Sequence, residues 1–221
     1  MDREGNKEGL GPLAPNPDVT TAFAFRYNAA MPAHPKTTDS QIVHAARLLL
    51  EREGQAGLSM AAVAAAVGIR APSLYNRFTD RSALLQAVDV QVFGELADLL
   101  GQAVVAGDAT ATLRAQAHAI RAFALQNPNG YSLFFDARLP ATPDGTKARG
   151  AAVGQLLEPL TALVGKERAF ASARVLVPYL HGFISMELAD GFRLGDGLDA
   201  AFDHGLSVIL RGLTAPLDGQ D

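Results

Sequence analysis

The amino-acid sequence predicts an all-α protein of about nine helices. Apolar residues recur at the three- and four-residue spacing of amphipathic helices along most of the chain. No set of alternating segments suggests a sheet, and no internal repeat is present. With 221 residues, 48% of them hydrophobic, the chain can bury a sizeable core in one or two domains.

The first two predicted helices lie between Thr38 and Val67. A face of helically spaced apolar residues runs from Thr38 to about Glu53, and the two glycines that follow favour an end there. Ser59 then stands where an N-cap residue belongs, so a second helix is expected from this point to Val67.

A glycine-containing turn and a short third helix come next. Gly68 can take the positive φ angle that ends the second helix, and Pro72 suits the first turn of a third, which should end near Phe78. Asp80 can cap a fourth helix that continues to roughly Ala106. The first three helices follow the helix-turn-helix plan, in which the third one here would enter the major groove of DNA.

The rest of the chain is also predicted to be helical, with breaks at Gly- and Pro-rich segments. Further helices are expected at residues 110–126, 131–137, 146–164, 167–192 and 198–213. Pro159 and Pro178 fall inside two of them, so kinks or local ends are expected at these prolines.

These elements suggest a head at residues 36–82, a second helical domain at 83–215 and a tail at 216–221. The first 35 residues are broken by Gly, Pro and Asn, so they are expected to be disordered or loosely ordered. Met31 is an alternative natural start.

Charge is distributed unevenly along the chain, whose formal net charge is −4. Residues 36–86 carry six Lys/Arg against four Asp/Glu, whereas residues 87–221 carry ten against fifteen. Any electrostatic contact with nucleic acid is therefore expected from the head rather than from the second domain.

The polar end of the helix-turn-helix segment supplies the candidate DNA contacts. Hydroxyl groups of Ser73 and Tyr75 can bond phosphate oxygens, and Arg77 and Arg81 can neutralise them. Arg70 is the candidate for a bidentate contact with guanine. The full set is Ser59, Arg70, Ala71, Pro72, Ser73, Tyr75, Asn76, Arg77 and Arg81, with Ala71 and Pro72 suited to a thymine methyl group.

Lys36, just before the first helix, is a further candidate for a phosphate or minor-groove contact. A solvated lysine is the alternative interpretation of this residue. For Tyr75 and Arg77 the alternatives are a surface aromatic ring and a solvated charge.

From Thr38 to about Val92 the sequence resembles the DNA-binding head of the tetracycline-repressor (TetR) family of transcriptional regulators. The matching positions are Ser59, Val63, Ala64, Gly68, Ile69, Leu74, Tyr75, Arg77, Phe78 and Arg81. The resemblance implies phosphate contacts by Tyr75, Arg77 and Arg81. The second helix is rich in alanine where related heads often place a polar residue, so the third helix is expected to carry the operator contacts.

The segment from Tyr179 to Phe192 resembles the helix of a regulatory-domain subgroup named for a Trp-His-Gly (WHG) motif. His181 and Gly182 match this motif, while Val177 or a neighbour stands where the tryptophan is expected.

The same resemblance implies that the second domain binds a small molecule and forms a homodimer. Aromatic side chains with a few polar groups suit a ligand pocket, and the candidates are His118, Arg121, Phe123, Tyr131, Phe134, Phe135 and Tyr179. Plain core packing is the alternative for each of them. A two-fold, four-helix interface is expected to use His181, Gly182, Ser185, Met186, Ala189, Phe202, Leu206, Ile209 and Leu213. His181 has a second interpretation, as a packing histidine within one subunit.

Several classes of protein have no support in the sequence. The chain has no cysteine, its five histidines are dispersed, and neither a P-loop nor a nucleophile elbow is present, so no metal, cofactor or catalytic residue is predicted. The most apolar segment is too short to span a bilayer, and the N-terminus lacks the pattern of a secretory signal. A cytoplasmic protein is expected.

Together these features favour a homodimeric, ligand-responsive repressor that a small molecule releases from a pseudo-palindromic operator in double-stranded DNA. The fourth helix is the expected lever between ligand and head. Two alternatives remain open: an all-helical small-molecule-binding or enzymatic dimer whose head has lost DNA binding, and an activator with the same head.

Overall fold

The computed structural model describes residues 37–215 except Ala137 and Asp196, and every regular element in these ranges is helical. The elements are α1 (Asp39–Gly57), α2 (Met60–Ala66), α3 (Ala71–Tyr75), α4 (Arg81–Gln102), α5 (Ala109–Gln126), α6 (Pro128–Ser132), a 3₁₀ helix (Leu133–Phe135), α7 (Pro143–Val164), α8 (Lys166–Leu188) and α9 (Leu198–Thr214). The all-α prediction is confirmed. The predicted disordered segment at 1–35, Lys36 and the tail at 216–221 lie outside the described residues.

Short polar side chains determine where several helices begin. Thr38 and Gln41 form a capping box at α1, in which each side chain bonds the backbone N–H of the other residue, at 3.2 and 2.8 Å. Ser59 and Asp80 accept backbone hydrogen bonds at the starts of α2 and α4, as predicted. These bonds satisfy N–H groups that have no partner inside the helix.

Three helices end earlier than the sequence pattern predicts. The third ends at Tyr75 rather than near Phe78. The fourth ends at Gln102 rather than near Ala106, and Thr112 then bonds the backbone N–H of Val105 at 2.9 Å. The eighth ends at Leu188 rather than at residue 192, because Asp190 takes a positive φ angle of 52° and begins a reverse turn. Apolar residues beyond the ends of the fourth and eighth helices imitate a continuing helix.

Neither internal proline ends its helix, so of the two expected outcomes, a kink or a local end, the local end is wrong at both positions. Pro159 leaves the carbonyl of Gln155 without its intrahelical donor, and the side-chain amide of Gln116 in α5 bonds that carbonyl at 3.0 Å. The replacement donor explains how α7 continues through this position. Helix α8 likewise continues through Pro178.

The second domain surrounds α7, which packs along α4 and against α5 and α8. Helix α1 packs on α4 and also reaches α6, so the head and the second domain share direct contacts. The described residues form one compact unit, and α4 spans the boundary between the two predicted domains. Within the described ranges, no helix has the length and hydropathy needed to cross a membrane.

Candidate nucleic-acid interface and ligand cavity

A short turn centred on Gly68 sets the angle between α2 and α3. Gly68 has a φ angle of 69°, and its N–H bonds the carbonyl of Ala65 at 3.2 Å. The N–H of Ile69 bonds the carbonyl of Ala64 at 3.0 Å. This pair of bonds is the Schellman motif, which closes a helix and sends the chain off in a new direction.

The inner side of the motif is apolar and buried. Leu58, Val63 and Leu74 are almost inaccessible to solvent, and Ile69 and Phe78 pack against the same core. Because α3 is only five residues long, packing of Leu74 and of the residues around it holds the helix in place.

The candidate DNA contacts lie on the outer side. Eight of them are exposed and Ala71 is partly buried; the exposed ones are Ser59, Arg70, Pro72, Ser73, Tyr75, Asn76, Arg77 and Arg81. Tyr75 keeps 51% of its surface accessible although it is a large aromatic residue. Lys36 lies outside the described residues.

The three arginines of this surface have different partners. Arg77 pairs with Asp39 at the start of α1, with a distance of 2.9 Å between Nη1 and Oδ1. Arg81 donates from Nε to the carbonyl of Leu58 at 2.7 Å and from Nη2 to the carbonyl of Gln55. The side chain of Arg70 makes no hydrogen bond or ion pair with any residue that the structure describes, so its guanidinium group is available to a ligand.

A cavity of about 250 Å³ lies in the second domain, between α4, α5, α7, α8 and the α6 segment. We use the name α6 segment for Pro128–Ser132 together with the 3₁₀ helix Leu133–Phe135. The cavity is lined by Phe93, Leu96, Leu100, Ile120, Tyr131, Phe134, Phe135, Arg149, Ala152, Val153, Leu156, Val177, Leu180 and His181. Tyr131, Phe134 and Phe135 are the members of the predicted ligand set that line it.

Two polar side chains of the wall pair with each other. The hydroxyl of Tyr131 lies 3.2 Å from Nδ1 of His181, and the hydroxyl of Ser185 lies 3.3 Å from the same nitrogen. Burial lowers the pKa of His181 and raises the pKa of Tyr131, so both groups are neutral at neutral pH.

The charged member of the wall, Arg149, is neutralised by Asp89 of α4. Its Nη2 lies 3.1 and 3.0 Å from the two carboxylate oxygens, and its Nη1 bonds the carbonyl of Phe134 at 3.1 Å. The guanidinium group also lies 4.5 Å from the ring centre of Phe93. Burial raises the pKa of Asp89, while the bonds from Arg149 act in the opposite direction.

The structure does not place His118, Arg121, Phe123 and Tyr179 in the cavity wall, contrary to the expectation. Arg121 bonds Glu187 and Asp199, each at 2.7 Å, and so ties α5 to α8 and to the start of α9. His118 pairs with Asp203, and Tyr179 donates to the carbonyl of Phe202. Phe123 stacks behind the wall on Phe134. Sequence spacing could not separate these residues from the lining set, because both sets are aromatic or polar side chains on neighbouring helices.

The predicted dimer residues divide into three groups. Phe202 and Leu206 are buried inside the protomer, and His181 lines the cavity, so these three do not form an outer surface. Ser185, Ile209 and Leu213 are partly buried, whereas Gly182 and Met186 on α8 and Ala189 just after it are exposed. Val175 on α8 and Val208 on α9 are exposed apolar residues outside the predicted set.

The head and the α6 segment are joined by a set of polar bonds that we call the α1–α6 clamp, made by Arg47, Glu51 and Gln55 of α1. Glu51 accepts bonds from the backbone N–H groups of Asn129 at 2.9 Å and Gly130 at 3.0 Å. It also binds Arg47 at 2.7 Å.

Arg47 is 4% exposed and continues the clamp into the second domain. Its Nη2 bonds the side chain of Asn127 at 2.8 Å, while its Nε lies 3.4 Å from Glu95 without hydrogen-bond geometry. Gln55 adds a bond of 3.0 Å to Asp136, just beyond the α6 segment. Sequence reasoning missed the clamp, because its residues belong to segments about 80 positions apart.

Both halves of the chain match described protein families. The family "Bacterial regulatory proteins, tetR family" matches residues 42–88, and "Tetracyclin repressor-like, C-terminal domain" matches residues 113–209. The second match includes the segment from Tyr179 to Phe192, while assignment to the Trp-His-Gly subgroup stays a prediction.

Related sequences agree with these matches. The chain is 30% identical over 165 residues to the uncharacterized HTH-type transcriptional regulator Rv0681 of Mycobacterium tuberculosis. The aligned region covers 73% of this chain and 74% of that protein. It is 26% identical over 182 residues to the uncharacterized HTH-type transcriptional regulator YobS of Bacillus subtilis, covering 80% and 92% of the two chains.

Solved structures share the fold. A protein of unknown function from Rhodococcus sp. RHA1 has a TM-score of 0.73 at 25% identity, covering 84% of this chain and all of that one. The TetR family protein ActR of Streptomyces coelicolor, in complex with (S)-DNPA, has a TM-score of 0.62 at 20% identity, covering 81% and 98%.

Proposed function

Since the chain belongs to the TetR family of DNA-binding transcriptional regulators, we propose that it is a homodimeric repressor which a small molecule releases from its operator. The exposed surface around α3 is the observation that carries the proposal. It presents Arg70, Ser73 and Tyr75 on a helix whose opposite side is held by buried Leu74.

The DNA contacts divide by chemistry. The hydroxyls of Ser73 and Tyr75 and the guanidinium of Arg77 suit phosphate oxygens, whereas Arg70, whose side chain has no partner within the described part of the chain, suits a base edge. On binding DNA, Arg77 would break its ion pair with Asp39 and form one with a phosphate group instead. Arg81 holds the α1–α2 junction and contributes charge to the same surface.

Dimerisation would place two such heads on one operator. The exposed faces of α8 and α9, with Val175, Gly182, Met186 and Val208, suit a four-helix interface with a second copy. Two heads related by a two-fold axis would then contact half-sites about 34 Å apart on one side of the DNA.

The cavity and the α1–α6 clamp support a ligand response. Tyr131, Phe134 and Phe135 line the cavity from the α6 segment, and the clamp bonds that segment to α1 of the head. A ligand that binds one position of the segment more tightly than another would favour the head position that goes with it. The equilibrium between the two head positions would shift by the difference in binding free energy. The proposed lever is therefore α1 together with α4. The ligand-bound structure of ActR provides a precedent for a small molecule on this fold.

Binding of the purified protein to the DNA upstream of its own gene tests the proposal. An electrophoretic shift with sequence preference is expected, and Tyr75→Phe or Arg77→Ala should weaken it at unchanged fold. Arg77→Ala should also reduce the salt slope of binding by about one. Arg52→Ala removes the same charge from an exposed position at the far end of α1 and serves as the control. A wild-type protein without sequence-selective binding would instead favour a small-molecule-binding or enzymatic dimer.

A further inference from the structure

We infer that the cavity takes an uncharged, mainly apolar molecule of about ten non-hydrogen atoms with at most one strong hydrogen-bond acceptor. This inference rests on the proposed function, because it names the class of effector for the same cavity. Three independent features carry it: the volume of the cavity, the aromatic composition of its wall and the pairing of its polar groups.

The volume sets the size of the ligand. A dry protein cavity of about 150 Å³ accommodates benzene, which has six non-hydrogen atoms. At about 250 Å³ this cavity has room for a bicyclic molecule. Phe135 and Val153 line the cavity and are also about half exposed, so they mark its opening to solvent.

The wall favours a flat, apolar body. The rings of Phe93 and Phe134 stack with centroids 4.2 Å apart, and the rings of Phe135 and His181 stack at 3.5 Å. The remaining lining residues are mostly aliphatic side chains of α4, α5, α7 and α8. An aromatic ligand can extend either stack and gain dispersion contacts along its whole surface.

The pairing of Arg149 and Asp89 excludes charged ligands. Both oxygens of Asp89 already bind Nη2 of Arg149, so the pair presents no net charge to the cavity. A carboxylate would lose its hydration and meet a guanidinium group whose charge Asp89 already neutralises, while an ammonium group would meet an already neutralised acid. Neither ion would find a charged partner that compensates for its loss of water.

The histidine of the wall allows one polar contact. Because two hydroxyl groups approach Nδ1 of His181, we assign this nitrogen as the acceptor and place the proton on Nε2. Among the described residues, no group accepts a hydrogen bond from Nε2. A ligand carbonyl can accept this proton, and the neutral state of His181 preserves the uncharged character of the wall.

A matched series on one scaffold tests the inference with the full-length protein. The four compounds share the indane ring and differ in one substituent. At pH 7.5 indane is neutral, 1-indanone is neutral with one hydrogen-bond acceptor, indane-1-carboxylate is anionic and 1-aminoindane is cationic. Calorimetric titration should show binding of the two neutral compounds, with the charged ones at least about 100-fold weaker. Equal or tighter binding of either ion would overturn the inference, and so would failure of both neutral compounds to bind.

Asp89→Asn tests the reason for the exclusion. The substitution keeps the shape of the side chain but leaves the charge of Arg149 without its counter-ion. Indane-1-carboxylate should then bind at least about 10-fold more tightly to the variant than to the wild type. The affinity for 1-indanone should change by less than about threefold. A carboxylate that remains excluded from a folded Asp89→Asn variant would contradict the role given to this pair. The four-compound series on the wild type decides the ligand class even if this variant does not fold.

Neighbouring alanines of α7 localise the binding. Ala152 is buried in the wall and Ala151 is exposed outside it. Ala152→Leu should lower the affinity for 1-indanone by at least about 10-fold, while Ala151→Leu should have little effect on it. Val153→Phe, at the opening, is a second blocking variant that leaves the core packing intact. Equal affinities in blocking and control variants would place the ligand elsewhere and overturn the inference.

Operator binding by the same preparation separates the two proposals. A protein that shifts its upstream DNA but binds the ions in preference to the neutral compounds contradicts only the ligand class. A protein that binds no operator contradicts the proposed function, whichever compound occupies the cavity.

Discussion

Arg77 and Arg81 lie four residues apart and carry the same charge, but their surroundings differ. Arg77 makes an exposed pair with Asp39, which is a weak interaction in water. Arg81 bonds backbone carbonyls of Gln55 and Leu58, two acceptors at the α1–α2 junction. Arg77 is therefore the better proposed phosphate contact, whereas the bonds of Arg81 connect parts of the head.

We expect Arg81→Ala to lower the free energy of unfolding by about 1–2 kcal/mol, because two backbone acceptors lose their charged donor. Arg77→Ala and the control Arg52→Ala should change it by less than about 0.5 kcal/mol. Urea unfolding followed by circular dichroism measures these differences. Equal stability of all three variants would show that the junction does not depend on Arg81.

The pH dependence of stability should contain a contribution from His181. Burial lowers its pKa below the usual value of 6.5, so the unfolded protein binds more protons at this site when the pH falls through that range. The contribution to stability is complete above pH 6.5 and decreases as the solution becomes more acidic.

His181→Phe should therefore flatten the decline in unfolding free energy between about pH 7 and pH 5. His118→Phe is the matched control, because it replaces another imidazole, one that is half exposed. Chemical unfolding at several pH values gives both profiles. An unchanged slope in His181→Phe would mean that His181 does not titrate differently in the folded state.

At the scale of the element, Gly68 is required by backbone geometry rather than by space. Nothing lies within 4 Å of the position that a Cβ atom would occupy, but its φ angle of 69° is unfavourable for other residues. The turn that orients α3 depends on this conformation.

Gly68→Ala should destabilise the protein by about 1 kcal/mol and weaken operator binding, because the angle between α2 and α3 changes. Gly150→Ala is the matched control, since Gly150 lies in α7 with ordinary helical geometry and open space. That variant should be neutral or more stable. Thermal melting distinguishes the two, and a neutral Gly68→Ala would contradict the positive φ angle.

The α1–α6 clamp is the second feature of this scale. Glu51 bonds the backbone N–H groups of Asn129 and Gly130, so its removal should leave those groups and buried Arg47 without their main acceptor. Glu51→Ala should lower the free energy of unfolding by about 1–3 kcal/mol and speed hydrogen exchange at the two backbone amides. Exposed Glu53→Ala is the control. Unchanged exchange at both amides would show that the clamp is not maintained in solution.

At the scale of the whole molecule, the exposed faces of α8 and α9 are the surface proposed for dimerisation. Val208 is 49% exposed on α9, whereas Phe202 and Leu206 on the same helix are buried in the protomer. The side of α9 that carries Val208 is therefore the one left for a partner.

Val208→Glu should produce monomers at micromolar concentration, because a charge would be buried at an apolar interface. Val105→Glu, at an exposed position in the α4–α5 loop, should leave the assembly unchanged. Sedimentation velocity gives the oligomeric state of both. A dimeric Val208→Glu variant would place the interface on another surface.

The outline of the fold and the exposure of the candidate DNA contacts could be predicted, because both depend on local chemistry. Caps at Ser59 and Asp80 and the glycine turn at Gly68 act within a few residues, so they are visible in the sequence. The exposed position of Tyr75 follows from the same local pattern, since buried Leu74 determines which side of α3 faces inward.

The cavity, the clamp and the outer face of α9 were decided by tertiary structure. Arg149 was not among the predicted ligand residues and Arg121 was, yet it is Arg149 that lines the cavity. Both are arginines on amphipathic helices, and the difference arises only from the helices packed against each one. By itself, the sequence determined an all-α chain with a helix-turn-helix head, because capping and periodicity act locally. Packing between distant segments determined which side chains meet around the cavity and across the clamp.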